Sequence, residues 1–137
     1  MDKVIDASVA VAWFAPHQAD AMTDGALVAV TEQGGLVPAH FGHEVLRSLR
    51  RLQRRGAFDA THLAGALTRL QLLPLKEDET SAIQLLPEIQ RLAASLGIAS
   101  GDAGYLELAR RRGAALATRD AALAAAAKAS GVALFQP

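Results

Sequence analysis

Four carboxylates stand where, in a chain alternating strands with helices, a strand ends or a helix begins: Asp6, Glu44, Asp102 and Asp120. Asp6 follows the β-branched pair Val4 and Ile5, and Glu44 opens a helix that comes after Leu36, Val37 and Pro38. Asp102 lies in the first turn of the helix before the apolar run 114–118, and Asp120 follows that run. In parallel strand–helix–strand units each helix starts on the edge where the strands finish, so the four acids are expected on one edge, the one that binds ligands. Converging carboxylates repel one another unless a cation neutralises them, and oxygen donors suit Mg²⁺ or Mn²⁺. Taken singly, each acid has a simpler use. Asp6 and Asp120 suit helix caps, Asp102 complements a helix dipole, and Glu44 could pair with Arg47 or Ser48.

The elements that must position these acids can be read from periodicity and punctuation. A helix is expected over 9–14, a break at Pro16, and mixed helical spacing over 18–33 before Gly34 and Gly35. From Phe41, the residues Val45, Leu46, Leu49 and Leu52 follow helical spacing up to Gly56. Asp59 is expected to cap a second helix carrying Leu63, Leu67 and Leu70, forming a helical hairpin with the first. A short edge strand is expected over 72–75. Pro87 should then kink or split the helix over 81–96, and Ser100 should cap the next one. The alanine-rich helix from Asp120 to Ser130 leads to a last strand over 132–135. This alternation, with no hairpin signal, predicts an α/β fold. Its central, mostly parallel sheet has four to five short strands in the order 3-2-1-4-5, with helices on both faces.

At 137 residues the chain is expected to form one domain, 1–137, with no linker or repeat. It has no cysteine, which removes disulfides and thiolate metal sites, and no stretch long enough to span a membrane, so a cytoplasmic protein is expected. Fourteen basic residues balance fourteen acidic ones. The bases are clustered, however, with five arginines between Arg47 and Arg55 and three at 110–112. Arg47 and Arg51, at helical spacing from Glu44, are the candidates for contacting the phosphates of a nucleic acid. His40 and His43 could begin a zinc site but lack the helical His-Glu-x-x-His pattern, so capping or surface roles are preferred. Tyr105 could stack a base, although its helical position favours the core.

The order of these motifs resembles the PIN-domain ribonucleases, in particular the VapC-like toxins of toxin–antitoxin pairs. The resemblance rests on Val4-Ile5-Asp6-Ala7-Ser8, on Val37-Pro38 followed by Glu44-Val45-Leu46, on the stretch from Asp102 through Tyr105 to Ala109, and on Thr118-Arg119-Asp120. It spans nearly the whole chain. It implies that Asp6, Glu44, Asp102 and Asp120 are the catalytic and metal-binding acids, with Ser8 and Thr118 as supporting hydroxyls. It further implies a Mg²⁺- or Mn²⁺-dependent endoribonuclease, an RNA substrate, a homodimer, and an antitoxin partner whose C-terminal segment wraps the toxin. The departures from the family pattern are Gly101 and Gly104, which loosen the start of a helix that is often less glycine-rich.

Other classes fit less well. A receiver domain would show an acidic pair after the first strand, and a haloacid-dehalogenase-like phosphatase would show Asp-x-Asp where this chain has Asp6-Ala7-Ser8. The two alternatives retained are a non-catalytic PIN-like module that binds RNA or acts as a scaffold, and a PIN-like DNA nuclease.

Overall fold

The computed structural model describes residues 2–137. Its sheet is built from four three-residue strands, β1 (Lys3–Ile5), β2 (Gly35–Val37), β3 (Leu75–Glu77) and β4 (Ala115–Ala117). All pairings are parallel and the order is β3-β2-β1-β4, with Val4 opposite both Leu36 and Leu116. The predicted α/β architecture and strand order hold for these four. The expected fifth strand is reduced to a single parallel bridge between Leu116 and Leu134. β1 and β4 are buried along their whole length, as strands covered on both faces must be. Val4 and Ile5 have no exposed surface, and sequestering such a side chain is worth roughly 1.5–3 kcal/mol.

Seven α-helices connect and cover the strands: α1 (Ala7–Phe14), α2 (Ala21–Gln33), α3 (Phe41–Arg54), α4 (Ala60–Leu72), α5 (Ala82–Leu96), α6 (Ser100–Arg112) and α7 (Ala121–Ala129). They pack in two groups, α1 with α2 and α3 and then α3 with α4, and α6 with α5, α7 and β1. Asp59 caps α4 by accepting from the His62 amide, as its position before the helix predicts. Asp20 forms a reciprocal capping box with Thr23 at the start of α2, and Pro16–Gln18 is a 3-10 turn.

Four local expectations are corrected. The edge strand expected over 72–75 lies at Leu75–Glu77, because α4 continues to Leu72. α5 is not split at Pro87: it runs as one helix from Ala82 to Leu96 with the exposed proline inside it, at the loss of one backbone N–H bond. Ser100 is the first helical residue of α6, not its cap. That place belongs to Ala99, and no side chain caps the helix. The stretch after α7 makes only the bridge at Leu134, where the Leu116 amide donates to the Ala133 carbonyl and the Phe135 amide to the Leu116 carbonyl. Among the described residues no helix is long and apolar enough to cross a membrane.

Candidate functional site

β1 ends at Ile5, and the Asp6 amide donates to the Ala117 carbonyl at 3.0 Å, so Asp6 closes the ladder between the two central strands. Asp6 occupies the cap position of α1, yet its side chain caps nothing. Both Ser8 Oγ and Thr118 Oγ1 donate to its Oδ2, each at 2.7 Å. The direction of these protons is set by a second layer. Ser8 Oγ accepts from the Arg119 amide and Thr118 Oγ1 accepts from the Asp120 amide, both at 3.0 Å, so each hydroxyl turns its own hydrogen to the carboxylate. Asp6 is only 5% exposed. Burial pushes its carboxyl above the usual range; the two hydroxyls pull it back down, and the nearby Glu44 raises it again.

Glu44 lies in the first turn of α3. The Tyr105 hydroxyl, from a ring with no exposed surface, donates to Glu44 Oε1 at 2.6 Å. This explains both residues: a buried phenol needs a partner, and a carboxylate at an edge needs a fixed orientation. Burial first, and then the bond to Glu44, raise the phenol's pKa well above its ordinary value, so it remains a donor. His40 flanks the pair, edge-on to the Tyr105 ring at 5.0 Å between centroids, with Nε2 donating to the Gly101 carbonyl at 3.0 Å and lying 3.7 Å from Glu44 Oε1.

Asp102 sits in the first turn of α6 and Asp120 precedes α7. Asp102 is pushed up to about 6, first by burial and then by the charges of Asp120, Asp6 and Glu44, against a smaller lowering by His40. The four predicted acids are therefore close enough to act on one another, as the shared sheet edge required. Asp120 is exposed and serves as a real cap, its Oδ1 accepting from the Leu123 amide at 3.0 Å. For Asp120 the simple reading and the functional one coexist. For Asp6 the capping reading fails, and Glu44 is held by Tyr105 instead of pairing with Arg47 or Ser48.

Among the described residues, no three acidic or histidine side chains are drawn tightly enough together to hold an ion as they stand. Three of the acids are already hydrogen-bonded: Oδ2 of Asp6 to two hydroxyls, Glu44 to Tyr105, and Asp120 to the Leu123 amide. The donor set nevertheless fits a hard divalent cation. It is all oxygen, it comes from four separate segments, and burial followed by the charges of the other acids raises Asp102, a cost that a cation would relieve. His40 Nε2 is bonded to the Gly101 carbonyl, and His43 is exposed on the wall of the cleft; among the described residues no third ligand joins them in a zinc-holding group.

Beside the acids, an open cleft of about 740 Å³ lies between α3 and the start of α6, lined by Glu44, Arg47, Arg50 and Arg54 on one side and by Gly101 and Asp102 on the other. Arg47 is placed there as its spacing suggests. Arg51 does not line the cleft, and Arg50 and Arg54 take the place expected of it. At i+7, Arg51 stays nearest the meridian of Glu44, whereas the cleft opens on the neighbouring stripe. Tyr105 lies in the core, as its helical position favours, and its hydroxyl reaches Glu44, a contact that periodicity alone does not show.

The PIN domain family profile matches residues 3–129. Ribonuclease VapC3 of Mycobacterium tuberculosis, in two strains, is 37% identical over 89 residues, which is 65% of this chain and 62% of the relative. The chain thus aligns with less than two thirds of the length of these curated relatives. The crystal structure of PAE2754 from Pyrobaculum aerophilum is similar with a TM-score of 0.65 over 92% of this chain and 84% of that one, at 23% identity, a likeness in fold alone.

Proposed function

The chain belongs to the PIN-domain family, and on that premise we propose that residues 1–137 form one PIN domain acting as a divalent-metal-dependent endoribonuclease, the toxin of a toxin–antitoxin pair. The observation that carries this reading is the coupling of four carboxylates on one sheet edge around an Asp6 that two hydroxyls hold in place. Asp6, Glu44, Asp102 and Asp120 would hold Mg²⁺ or Mn²⁺. When bound, such an ion lowers the pKa of a water and neutralises charge on a phosphodiester oxygen.

The chain's own residues supply the rest. Ser8 and Thr118 fix the Asp6 carboxylate so that it need not reorganise, and Tyr105 does the same for Glu44. Asp120 keeps one oxygen in its cap and has the other for solvent or an ion. Arg47, Arg50 and Arg54 offer positive charge beside the acids, which supports a polyanionic substrate. The aligned stretch shared with Ribonuclease VapC3 favours RNA over DNA; an antitoxin partner, a homodimer and the cytoplasm are part of the same proposal and rest on the family resemblance.

The test is cleavage of matched pools of labelled RNA and single-stranded DNA with Mg²⁺, with Mn²⁺ and with a chelator. Metal-dependent cutting of RNA alone is expected. Cutting of DNA at the same rate would replace the proposed substrate, and binding without cutting of either would favour a non-catalytic module.

A further inference from the structure

The arginines of α3 form an ordered row. Arg47, Arg50 and Arg54 line the cleft that begins at Glu44 and Asp102, and at 1.5 Å per residue they extend over ~10 Å along the helix axis. All three are exposed, and among the described residues none lies within ion-pair distance of a carboxylate, whereas Arg91, Arg110 and Arg111 are all engaged by acids. A neutral chain thus keeps three uncommitted guanidiniums on one wall of a cleft that opens directly from its acid cluster.

We propose that this row is a one-sided backbone track: a single strand of RNA leaves the acid edge along α3, with its phosphates on Arg47, Arg50 and Arg54 in turn, and Arg51 takes no part. This rests on the reading of the acids as a phosphodiester site, and it adds the direction of the strand and the number of phosphates held. RNA is favoured over an acidic polypeptide because the row is continuous with Glu44 on the same helix, so what lies on the arginines also passes the acids. The scarcity of aromatic residues lining the cleft leaves phosphate contact as the main source of affinity.

The track has a countable signature. Each phosphate contact to a single strand contributes a slope of about 0.7 in log affinity against log salt, so three contacts predict a loss of about 20-fold between about 50 and 200 mM salt. The measurement is fluorescence anisotropy of a short labelled RNA of mixed sequence, with a chelator present so that nothing is cut. Arg47→Ala, Arg50→Ala and Arg54→Ala should each cut the loss to about 7-fold, while Arg51→Ala leaves it unchanged. An equal effect of Arg51→Ala would reduce the row to general helix charge and overturn the track. Absence of salt-dependent binding by the wild type would overturn it too, as would a poly-glutamate peptide that competes on equal terms with RNA and depends on the same three arginines. Because no cleavage is needed, the track can stand in a protein that proves not to cut RNA, and it can fall in one that does.

Discussion

Gly104 lies where any side chain would strike the His40 ring: a Cβ built on it would stand 2.6 Å from His40 Cε1. One turn earlier, a Cβ on Gly101 would stand 2.8 Å from Glu44 Oε2. The two glycines that depart from the family's usual pattern are thus matched to the side chains opposite them. They let α6 approach α3 closely enough for His40 to donate to the Gly101 carbonyl and for Tyr105 to reach Glu44. Gly104→Ala should gain up to about 1 kcal/mol of helix propensity but lose ~1–3 kcal/mol to overpacking, for a net loss. In a His40→Ala background the clash is gone, so the same Gly104→Ala change should stabilise. Chemical denaturation of the four proteins checks this, and a destabilising effect in both backgrounds would refute the pairing.

Tyr105→Phe removes the donor to Glu44 while keeping the buried ring. Glu44 is partly exposed and can turn to water, so the stability loss should be modest, about 1 kcal/mol. The larger effect should fall on function, with weaker Mn²⁺ binding and slower RNA cleavage from a carboxylate left free to rotate. A variant that unfolds at its normal temperature and cuts at the wild-type rate would show that the bond only fills the core.

The acids should destabilise the metal-free protein. Asp102 is raised to about 6 from an ordinary value near 4, so its folded-state penalty is present in full above that value and disappears as pH falls toward the unfolded value. Asp102→Asn should therefore raise the melting temperature at neutral pH by ~4 °C, about 1 kcal/mol once solvent screening of a partly exposed carboxyl is allowed for. The advantage should vanish between about pH 6 and pH 4. Melting curves of both proteins across that range, in chelator, provide the check; a lower melting temperature for the variant at neutral pH would contradict the repulsion.

Toward the C-terminal end of α6, Arg111 joins Glu107 to Asp78 and Thr80 in the loop that leads to α5. The Arg111 guanidinium holds the Asp78 carboxyl below its ordinary range. A depressed folded pKa means that this contribution is present above the unfolded value and is lost as acid titrates the carboxyl through its folded one, below about pH 4. Arg111→Ala should cost about 2 kcal/mol at neutral pH, because it strands the buried Glu107, and should leave RNA cleavage per folded molecule unchanged. Denaturation at neutral and acid pH, with activity normalised to the folded fraction, separates the two effects.

Much of this was legible in the residue order. The strand order and the shared edge follow from alternation and from the rule that helices begin where parallel strands end, and that alone brings Asp6, Glu44, Asp102 and Asp120 together. What could not be read was tertiary. Periodicity places Arg51 nearest Glu44, but which stripe of α3 faces a cleft depends on where α6 packs. The partner of the Tyr105 hydroxyl lies 61 residues away, and only the packed helices reveal it. Pro87 signals a kink or a split, and α5 is not split there. The apolar run at 132–135 suggested a strand, but an apolar run does not fix how many residues pair, and only Leu134 bridges to β4.

The central claim is that four acids on one edge form a cation site that hydrolyses RNA, and the most direct measurement follows both properties in the same samples. Wild type and Asp102→Asn, each shown to be folded, would be titrated with Mn²⁺ by calorimetry and then assayed on one labelled RNA. The wild type is expected to bind the ion and cut, and the variant to bind at least ~10-fold more weakly and lose cleavage. Equal binding and equal cutting by the two proteins would contradict it.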